Sequence, residues 1–245
     1  MNIITEIGLN HLGSTEIALE MLDSLIDEPE IDGITFQIRE EVFYDSTAPH
    51  KKKLPLSFYR TASEKVRRAG KLFGVAIADA GIIDDLQPIG VDFWKTLSWD
   101  IGNQSLLQKL KRVSSKIYVS TGISSTEEIV QCSKTWKDVV FIHTSLSSDV
   151  NNVRLASMLH LRDRYGIEMA FGLHSDFKEV LFIAASLHPS DVFFYVKHSN
   201  DAPDGKHGFH LSEVAETCLK VRHSTKVMGS SHKDAILTPD WVEKK

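Results

Sequence analysis

Lys95 is the residue from which chemistry is most readily read. It stands in Asp92-Phe93-Trp94-Lys95-Thr96-Leu97, an otherwise apolar run, where an ammonium group is costly to bury unless an anion faces it. A lysine offers a compact positive charge for a phosphate or a carboxylate. Ser98 and Ser120 add hydroxyl donors, and Thr121-Gly122 leads into a helix start, where free backbone N–H groups collect. A structural ion pair of Lys95 with Asp100 or Glu6 fits the same residues. His174 and His198 form a second group. Two imidazoles with a carboxylate and water suit Mn²⁺, Zn²⁺ or Fe²⁺ better than Ca²⁺. The chain holds 11 histidines, so a hydrogen-bonded loop residue is the competing reading for each. His207, His210, His223 and His232 are read as surface or loop residues.

Groups so far apart in the chain need a scaffold that gathers them. Eight short apolar runs occur, at Ile3–Ile7, Gly33–Ile38, Leu72–Ala78, Asp92–Leu97, Lys116–Val119, Val139–His143, Glu168–Gly172 and Val192–Val196. Their near-continuous apolar character is that of parallel strands buried on both faces. Amphipathic stretches alternate with them. Ser14–Ile26 opens on an N-cap serine, Ser57–Ala69 runs into Gly70, and Ser125-Thr126-Glu127-Glu128 is a capping box. Asn151–Arg164, Glu179–Leu187 and Leu211–Val221 supply later helices. Strands alternating with helices imply right-handed parallel crossovers, and eight such units close into a (β/α)8 TIM barrel. An open doubly wound sheet is disfavoured, because Glu6–Gly13 lacks the G-x-G-x-x-G spacing of a nucleotide-binding turn. The expectation is one α/β barrel domain over residues 1–228 and a tail over 229–245, with a turn around Pro239–Val242.

In such a barrel the reactive groups project from the C-terminal ends of the strands. The first strand offers Glu6, then Asn10 and His11; the second offers Gln37 and Arg39; the third ends in Asp79. The fourth carries Lys95, Ser98 and Asp100, and the fifth ends in Ser120. His143, His174 and His198 follow at the sixth, seventh and eighth ends, with Asp204 beyond.

Composition excludes several alternatives. Twenty-eight Lys and Arg against 33 Asp and Glu give a net charge of −5, with no basic excess to neutralise a nucleic-acid backbone. Trp94, Trp99, Trp136 and Trp241 therefore read as packing groups, and Lys51-Lys52-Lys53 as a solvated loop. Cys132 and Cys218 are isolated, as in a reducing compartment. The N-terminus lacks the basic start and apolar core of a signal peptide. No apolar run approaches the ~18 residues that cross a membrane. The expectation is a cytoplasmic protein acting on small molecules, with neither membrane nor nucleic acid as partner.

The ordered motifs resemble the N-terminal barrel of the sialic acid synthase family, which joins phosphoenolpyruvate to N-acetylmannosamine or related aminosugars. Glu6-Ile7-Gly8-Leu9-Asn10-His11-Leu12-Gly13-Ser14 resembles its opening E-I-G-x-N-H-x-G-S. Asp92–Asn103 resembles D-x-x-K-I-x-S-G-E-I-T-N, and Ser120-Thr121-Gly122-Ile123 resembles S-T-G-M. Gly172-Leu173-His174-Ser175-Asp176 resembles G-x-S-D-H, Lys197-His198 resembles E-K-H, and Ala202-Pro203-Asp204 resembles G-P-D. The resemblance spans about residues 3–215. It implies that Glu6 is an active-site carboxylate and that Asp100 stands at a family glutamate. It assigns Gln37, Lys95, Ser98 and Ser120 to phosphoenolpyruvate and Asp204 to the sugar. His198, with His174, would hold a divalent metal, Mn²⁺ or Mg²⁺, that polarises the acceptor aldehyde.

The sequence also departs from the family. Thr35 occupies the place of the lysine in K-F-Q, and Ala76-Ile77-Ala78 replaces a T-P-F-like segment. His143–Ser148 lacks the Asn and Tyr of H-C-T-x-x-Y-P, and His174 falls two places early. Only 24 residues follow Val221, fewer than the family's C-terminal antifreeze-like domain needs. That domain supplies an arginine to the partner subunit's sugar site, so a homodimer is open but lacks that reason to form. Two further readings follow: a catalytically degenerate member that binds a sugar or phosphorylated ligand, and a metal-dependent barrel lyase or hydrolase.

Overall fold

Eight parallel strands run in chain order around a closed barrel: β1 (Asn2–Gly8), β2 (Gly33–Ile38), β3 (Leu72–Ile77), β4 (Phe93–Thr96), β5 (Ile117–Ser120), β6 (Val140–His143), β7 (Met169–Gly172) and β8 (Asp191–Lys197). The β1–β8 pairing closes it, with Glu6 opposite both Thr35 and Tyr195. A two-residue strand, β9 (Phe209–His210), adds to the end of β8. The computed structural model describes residues 1–48, 51–114 and 116–229. Apart from Gly229, the expected tail, its turn at Pro239–Val242, His232 and Trp241 lie outside the described residues.

Alternation along each strand explains both layers of the core. One set of side chains points into the barrel, where Ile4, Phe93, Tyr118, Ile142, Ala170 and Phe193 pack together. The rings of Phe93, Tyr118 and Phe193 meet edge to face, at centroid distances of 5.5 Å for Phe93–Tyr118 and 4.9 Å for Tyr118–Phe193. Tyr118 can be buried because its hydroxyl donates to Asp191 Oδ2 at 2.7 Å. Gly74 is required opposite this cluster, since a Cβ there would fall within the Phe93 ring. The barrel is thus filled below its mouth, as small barrels are. The other set, including Ile3, Ile34, Phe36, Val75, Trp94 and Phe194, packs against the helices.

The helices are α1 (Thr15–Ile26), α2 (Glu41–Tyr44), α3 (Leu56–Arg68), α4 (Ile83–Leu86), α5 (Gln104–Val113), α6 (Thr126–Thr135), α7 (Leu155–Tyr165), α8 (Val180–Ser186) and α9 (Val214–Val227). Ser14 caps α1 by accepting from Ile17 N–H at 3.2 Å, and Ser125 and Glu128 form the capping box of α6. Two helices differ from the sequence expectation. The segment expected to start at Asn151 first makes a 3₁₀ turn over Val150–Asn152, and Arg154 then takes a left-handed conformation, so α7 begins at Leu155. The last helix begins at Val214, after a 3₁₀ turn over Leu211–Glu213, and runs to Val227. No Gly or Pro interrupts the chain between Val221 and Gly229. No helix among the described residues is long and apolar enough to cross a membrane.

Candidate active site

A cavity of about 310 Å³ opens at the C-terminal mouth of the barrel, over the aromatic plug. Gln37, Lys95, Ser98, Ser120, His174 and Asp204 all line it. They come from the ends of five strands, Lys95 and Ser98 both from β4 and the loop beyond it, so closure of the barrel brings these residues together.

At its floor, the Lys95 ammonium meets the Glu6 carboxylate. The two side chains are only 5% and 2% exposed, so the pair sits in a low-dielectric setting. Glu6 Oε2 has no partner among the described residues. The Lys95 ammonium also lies 5.4 Å from the Phe193 ring centre and 5.8 Å from that of Tyr195. Beside this pair, Ser98 Oγ and Ser120 Oγ share a hydrogen bond of 2.8 Å. A Cβ on Gly122 would come within 2.6 Å of Ser98 Oγ, which explains glycine directly after Ser120-Thr121.

The second wall is built by the loop after β8. Asn10 ties that loop to β1: its Nδ2 donates to Val196 O at 2.7 Å, and its Oδ1 accepts from Asp204 N–H at 2.9 Å. Gly8, at φ +55°, lets Tyr195 and Asp204 close over it; a Cβ there would lie 3.4 Å from Asp204 Oδ2. Burial and the neighbouring Glu6 raise the Asp204 carboxyl from its ordinary range to about 7, while Lys95 opposes the rise. Burial, with His207 and Lys95 nearby, depresses His174, and burial brings His207 down to about 4. Both rings are therefore neutral near pH 7.

Arg39 supplies a second cation at the rim. Its guanidinium lies 4.3 Å from the Phe43 ring centre and 4.8 Å from that of Trp99. Its Nε donates to Glu40 at 2.9 Å, and its terminal nitrogens have no hydrogen-bond partner among the described residues. Trp99, expected to pack, is 44% exposed and serves this clamp, whereas Trp94 is fully buried. Lys51 and Lys53, expected to be solvated, are partly engaged: Lys51 lies over Phe43, and Lys53 pairs with Glu41. Thr35 turns its hydroxyl onto Phe36 O at 3.2 Å and adds no charge.

Two expected site residues lie elsewhere. Asp100 accepts from Asn103 Nδ2 at 3.0 Å in the turn before α5 and does not line the cavity. His198 follows β8 on the face opposite Tyr195, and its Nε2 is 3.6 Å from Glu20 on α1. Strand alternation therefore keeps His198 away from His174. The histidine beside His174 is His207, at a ring-centre distance of 4.9 Å, half-buried in the loop after β8. Its Nε2 is 3.6 Å from Asp204 Oδ1. Among the described residues no three His, Cys, Asp or Glu side chains are arranged to hold a metal ion. The divalent ion implied by the resemblance does not fit His174 and His198 as they are placed.

Sequence reasoning did not assign roles to Tyr195, His207, Asn10 and Arg39. The phase of β8, with Asp191 and Phe193 pointing inward, would have placed Tyr195 at the mouth. Nothing in the irregular segment after β8 signals His207.

The fold and site define a parallel α/β barrel whose mouth gathers a buried lysine, a hydroxyl pair and an amide. The chain belongs to the NeuB family, whose model matches residues 26–233. It is similar to an N,N'-diacetyllegionaminic acid synthase of Campylobacter jejuni, 24% identical over 95% of this chain and 79% of that protein. A pseudaminic acid synthase of the same species is 21% identical over 95% of this chain and 76% of its own length. Among solved structures, an N-acetylneuraminic acid synthetase from Leptospira borgpetersenii, in complex with citrate, superposes with a TM-score of 0.85. Its identity is 22%, with 96% of this chain and 87% of that chain covered.

Proposed function

We propose that this protein is a nonulosonic acid synthase, condensing phosphoenolpyruvate with the open-chain aldehyde of an N-acetylated aminosugar and releasing phosphate. The observation that carries this is the single cavity over Lys95. It sets a hydroxyl pair, an amide and two cations around a space closed on the far side by Asp204. Membership of the NeuB family and the synthases among its relatives support the same reading.

Lys95, Ser98, Ser120 and Gln37 hold the anionic end of phosphoenolpyruvate, and Arg39 takes the acid group nearer the rim. Donors fixed before the reaction cost no reorganisation as charge develops. The enol carbon attacks the aldehyde carbon, forming the new C–C bond and leaving positive charge at the carbon that bears the phosphate ester. Glu6, buried beneath the cavity, stabilises that charge. Asp204, able near neutral pH to give a proton, protonates the aldehyde oxygen as it becomes a hydroxyl. Water adds to the cationic carbon and returns a proton to Asp204. The tetrahedral adduct expels phosphate, leaving a 2-keto acid. Apolar walls from Leu9, Leu97 and Leu146 limit the water that reaches the cation.

The test is phosphate release from phosphoenolpyruvate with a panel of N-acetylated and diacetylated hexosamines, each with and without Mn²⁺. Release that depends on one acceptor, with a product heavier than that acceptor by the elements of pyruvic acid, supports the proposal. Absence of acceptor-dependent release with every panel member, at enzyme concentrations near that of substrate, refutes it.

A further inference from the structure

Tyr195 lines the cavity, yet its hydroxyl takes no part in the reaction set out above. The side chain is 5% exposed and belongs to the inward-facing set of β8, one layer above Phe193. The other inward tyrosine of the barrel, Tyr118, donates its hydroxyl proton to Asp191 at 2.7 Å. The Tyr195 hydroxyl has no such partner among the described residues. It is also not one of the side-chain oxygens sealed from solvent, so it opens on the cavity. Burial, then Glu6 and Asp204, push it well above the ordinary phenol range, and it remains a donor.

The ring is held firmly. His174 and His207 each meet it edge to face, at centroid distances of 5.2 Å. The backbone of Gly8 closes another side: a Cβ there would lie 2.6 Å from Tyr195 Cε1 and 3.4 Å from Asp204 Oδ2. One point thus touches both the phenol edge and the Asp204 carboxyl, which are side by side. Asn10 fixes the Asp204 backbone at 2.9 Å, and Glu6 stands opposite Tyr195 in the β1–β8 pairing. An oxygen that takes a proton from Asp204 therefore lies beside Tyr195. Carbon–carbon bond formation puts negative charge on such an oxygen, and a donor fixed in advance stabilises it without reorganisation. The resemblance gives this task to a divalent ion. In this chain, however, His198 turns to Glu20, and His174 packs on Tyr195 and His207. The other donors near the floor are engaged: Lys95 faces Glu6, and Ser98 and Ser120 bond each other.

We infer, resting on the condensation proposed above, that Tyr195 is a further catalytic residue: its hydroxyl donates to the aldehyde oxygen of the acceptor and stabilises the alkoxide formed there, the task otherwise given to a divalent ion. The enol carbon bonds to the aldehyde carbon, and the carbonyl π pair moves onto oxygen. Tyr195 keeps its proton and holds that oxygen by a hydrogen bond. Asp204 then transfers its own proton, and the oxygen becomes the product's hydroxyl. The charge exists only along the reaction path, so the loss of this donor falls on kcat rather than on phosphoenolpyruvate binding.

The experiment measures phosphate release from phosphoenolpyruvate by the full chain, as wild type and as Tyr195→Phe, with the same panel of hexosamines in EDTA and in Mn²⁺. Calorimetric phosphoenolpyruvate binding and thermal unfolding are followed on both proteins. Wild type is expected to keep its rate in EDTA to within about threefold of that in Mn²⁺. Tyr195→Phe should lower kcat about a hundredfold to a thousandfold, as the loss of one fixed donor to a developing oxyanion does. Its phosphoenolpyruvate affinity should stay within about twofold of wild type. Its unfolding midpoint should equal or exceed that of wild type, because no hydrogen bond within the protein is lost. A kcat for Tyr195→Phe within about threefold of wild type overturns the inference. So does a fall in kcat matched by weaker phosphoenolpyruvate binding and a lower midpoint, which marks a structural hydroxyl. Wild-type turnover that vanishes in EDTA and returns with Mn²⁺ gives the oxygen to the ion and overturns it too. These three outcomes leave the proposed condensation standing; a wild type with no acceptor-dependent release in either condition removes the condensation and the inference together.

Discussion

Replacing Lys95 with methionine should destabilise the fold strongly, and replacing Glu6 as well should restore much of the loss. Lys95 is the only hydrogen-bond partner of the Glu6 carboxylate among the described residues. With the two side chains 5% and 2% exposed, the pair is largely desolvated, and Glu6, beneath the cavity floor, has no route to water. Removing one partner of such a buried pair costs about 3–5 kcal/mol, because the survivor is left uncompensated. For a chain of this size that corresponds to a fall of roughly 6–20 °C in Tm. In Lys95→Met/Glu6→Gln no charge remains, so more than half of the loss should return, with a coupling of about 2 kcal/mol or more. The assay is calorimetric unfolding at pH 7 of wild type, both single variants and the double variant. A Tm for Lys95→Met within about 2 °C of wild type, together with additive losses in the double variant, would refute the reasoning. Lys95 would then be hydrated, and the mouth would not be the desolvated anion site described above.

Other expectations concern the walls of the same cavity. Arg39→Ala should raise the KM for phosphoenolpyruvate about tenfold to a hundredfold with a smaller change in kcat, as expected for losing charge-assisted hydrogen bonds. Arg39→Lys should recover only part, since lysine lacks the planar face held by Trp99 and Phe43; an unchanged KM in both would remove Arg39 from the site. Gly122→Ala forces Ser98 off Ser120 and should cost about 1–3 kcal/mol, read from unfolding midpoints, and weaken phosphoenolpyruvate binding in calorimetry. The titrating groups of the second wall act with opposite signs. His207, lowered from 6.5 to about 4, favours folding above pH 6.5 and loses that contribution as pH falls toward 4. Asp204, raised from 3.8 to about 7, disfavours folding increasingly as pH rises from 4 to 7. Asp204→Asn should therefore gain stability relative to wild type as pH rises through that window, and a flat difference between the two curves would contradict the placement of Asp204 beside Glu6.

The barrel was legible because its strands are buried on both faces and read as unbroken apolar runs; all eight lie where the runs predicted, within two residues at each end. Helix starts were legible where a side chain made the cap, as at Ser14 and Ser125, and displaced where backbone strain set the boundary, as at Arg154. The site was legible where a polar residue interrupts a strand or directly follows it, as with Glu6, Gln37, Lys95 and Ser120. It was not legible where function depends on the phase of alternation. His198 is one residue beyond Lys197, and that single step turns it from the mouth to Glu20. Asp100 sits after the strand, where chain direction is set by the turn to α5 rather than by the barrel. His207 comes from a loop whose path depends on Asn10, a contact between positions 10 and 204 that no local pattern encodes.

The most direct test of the condensation is to follow the bridging oxygen of phosphoenolpyruvate, labelled with ¹⁸O at C2, in the presence of an accepted aminosugar. Attack of water at the cationic carbon and expulsion of phosphate through C–O cleavage predict inorganic phosphate that carries the label, formed one for one with the 2-keto acid. Unlabelled phosphate accompanied by free pyruvate, with no new carbon–carbon bond, would mean hydrolysis at phosphorus and would contradict the account.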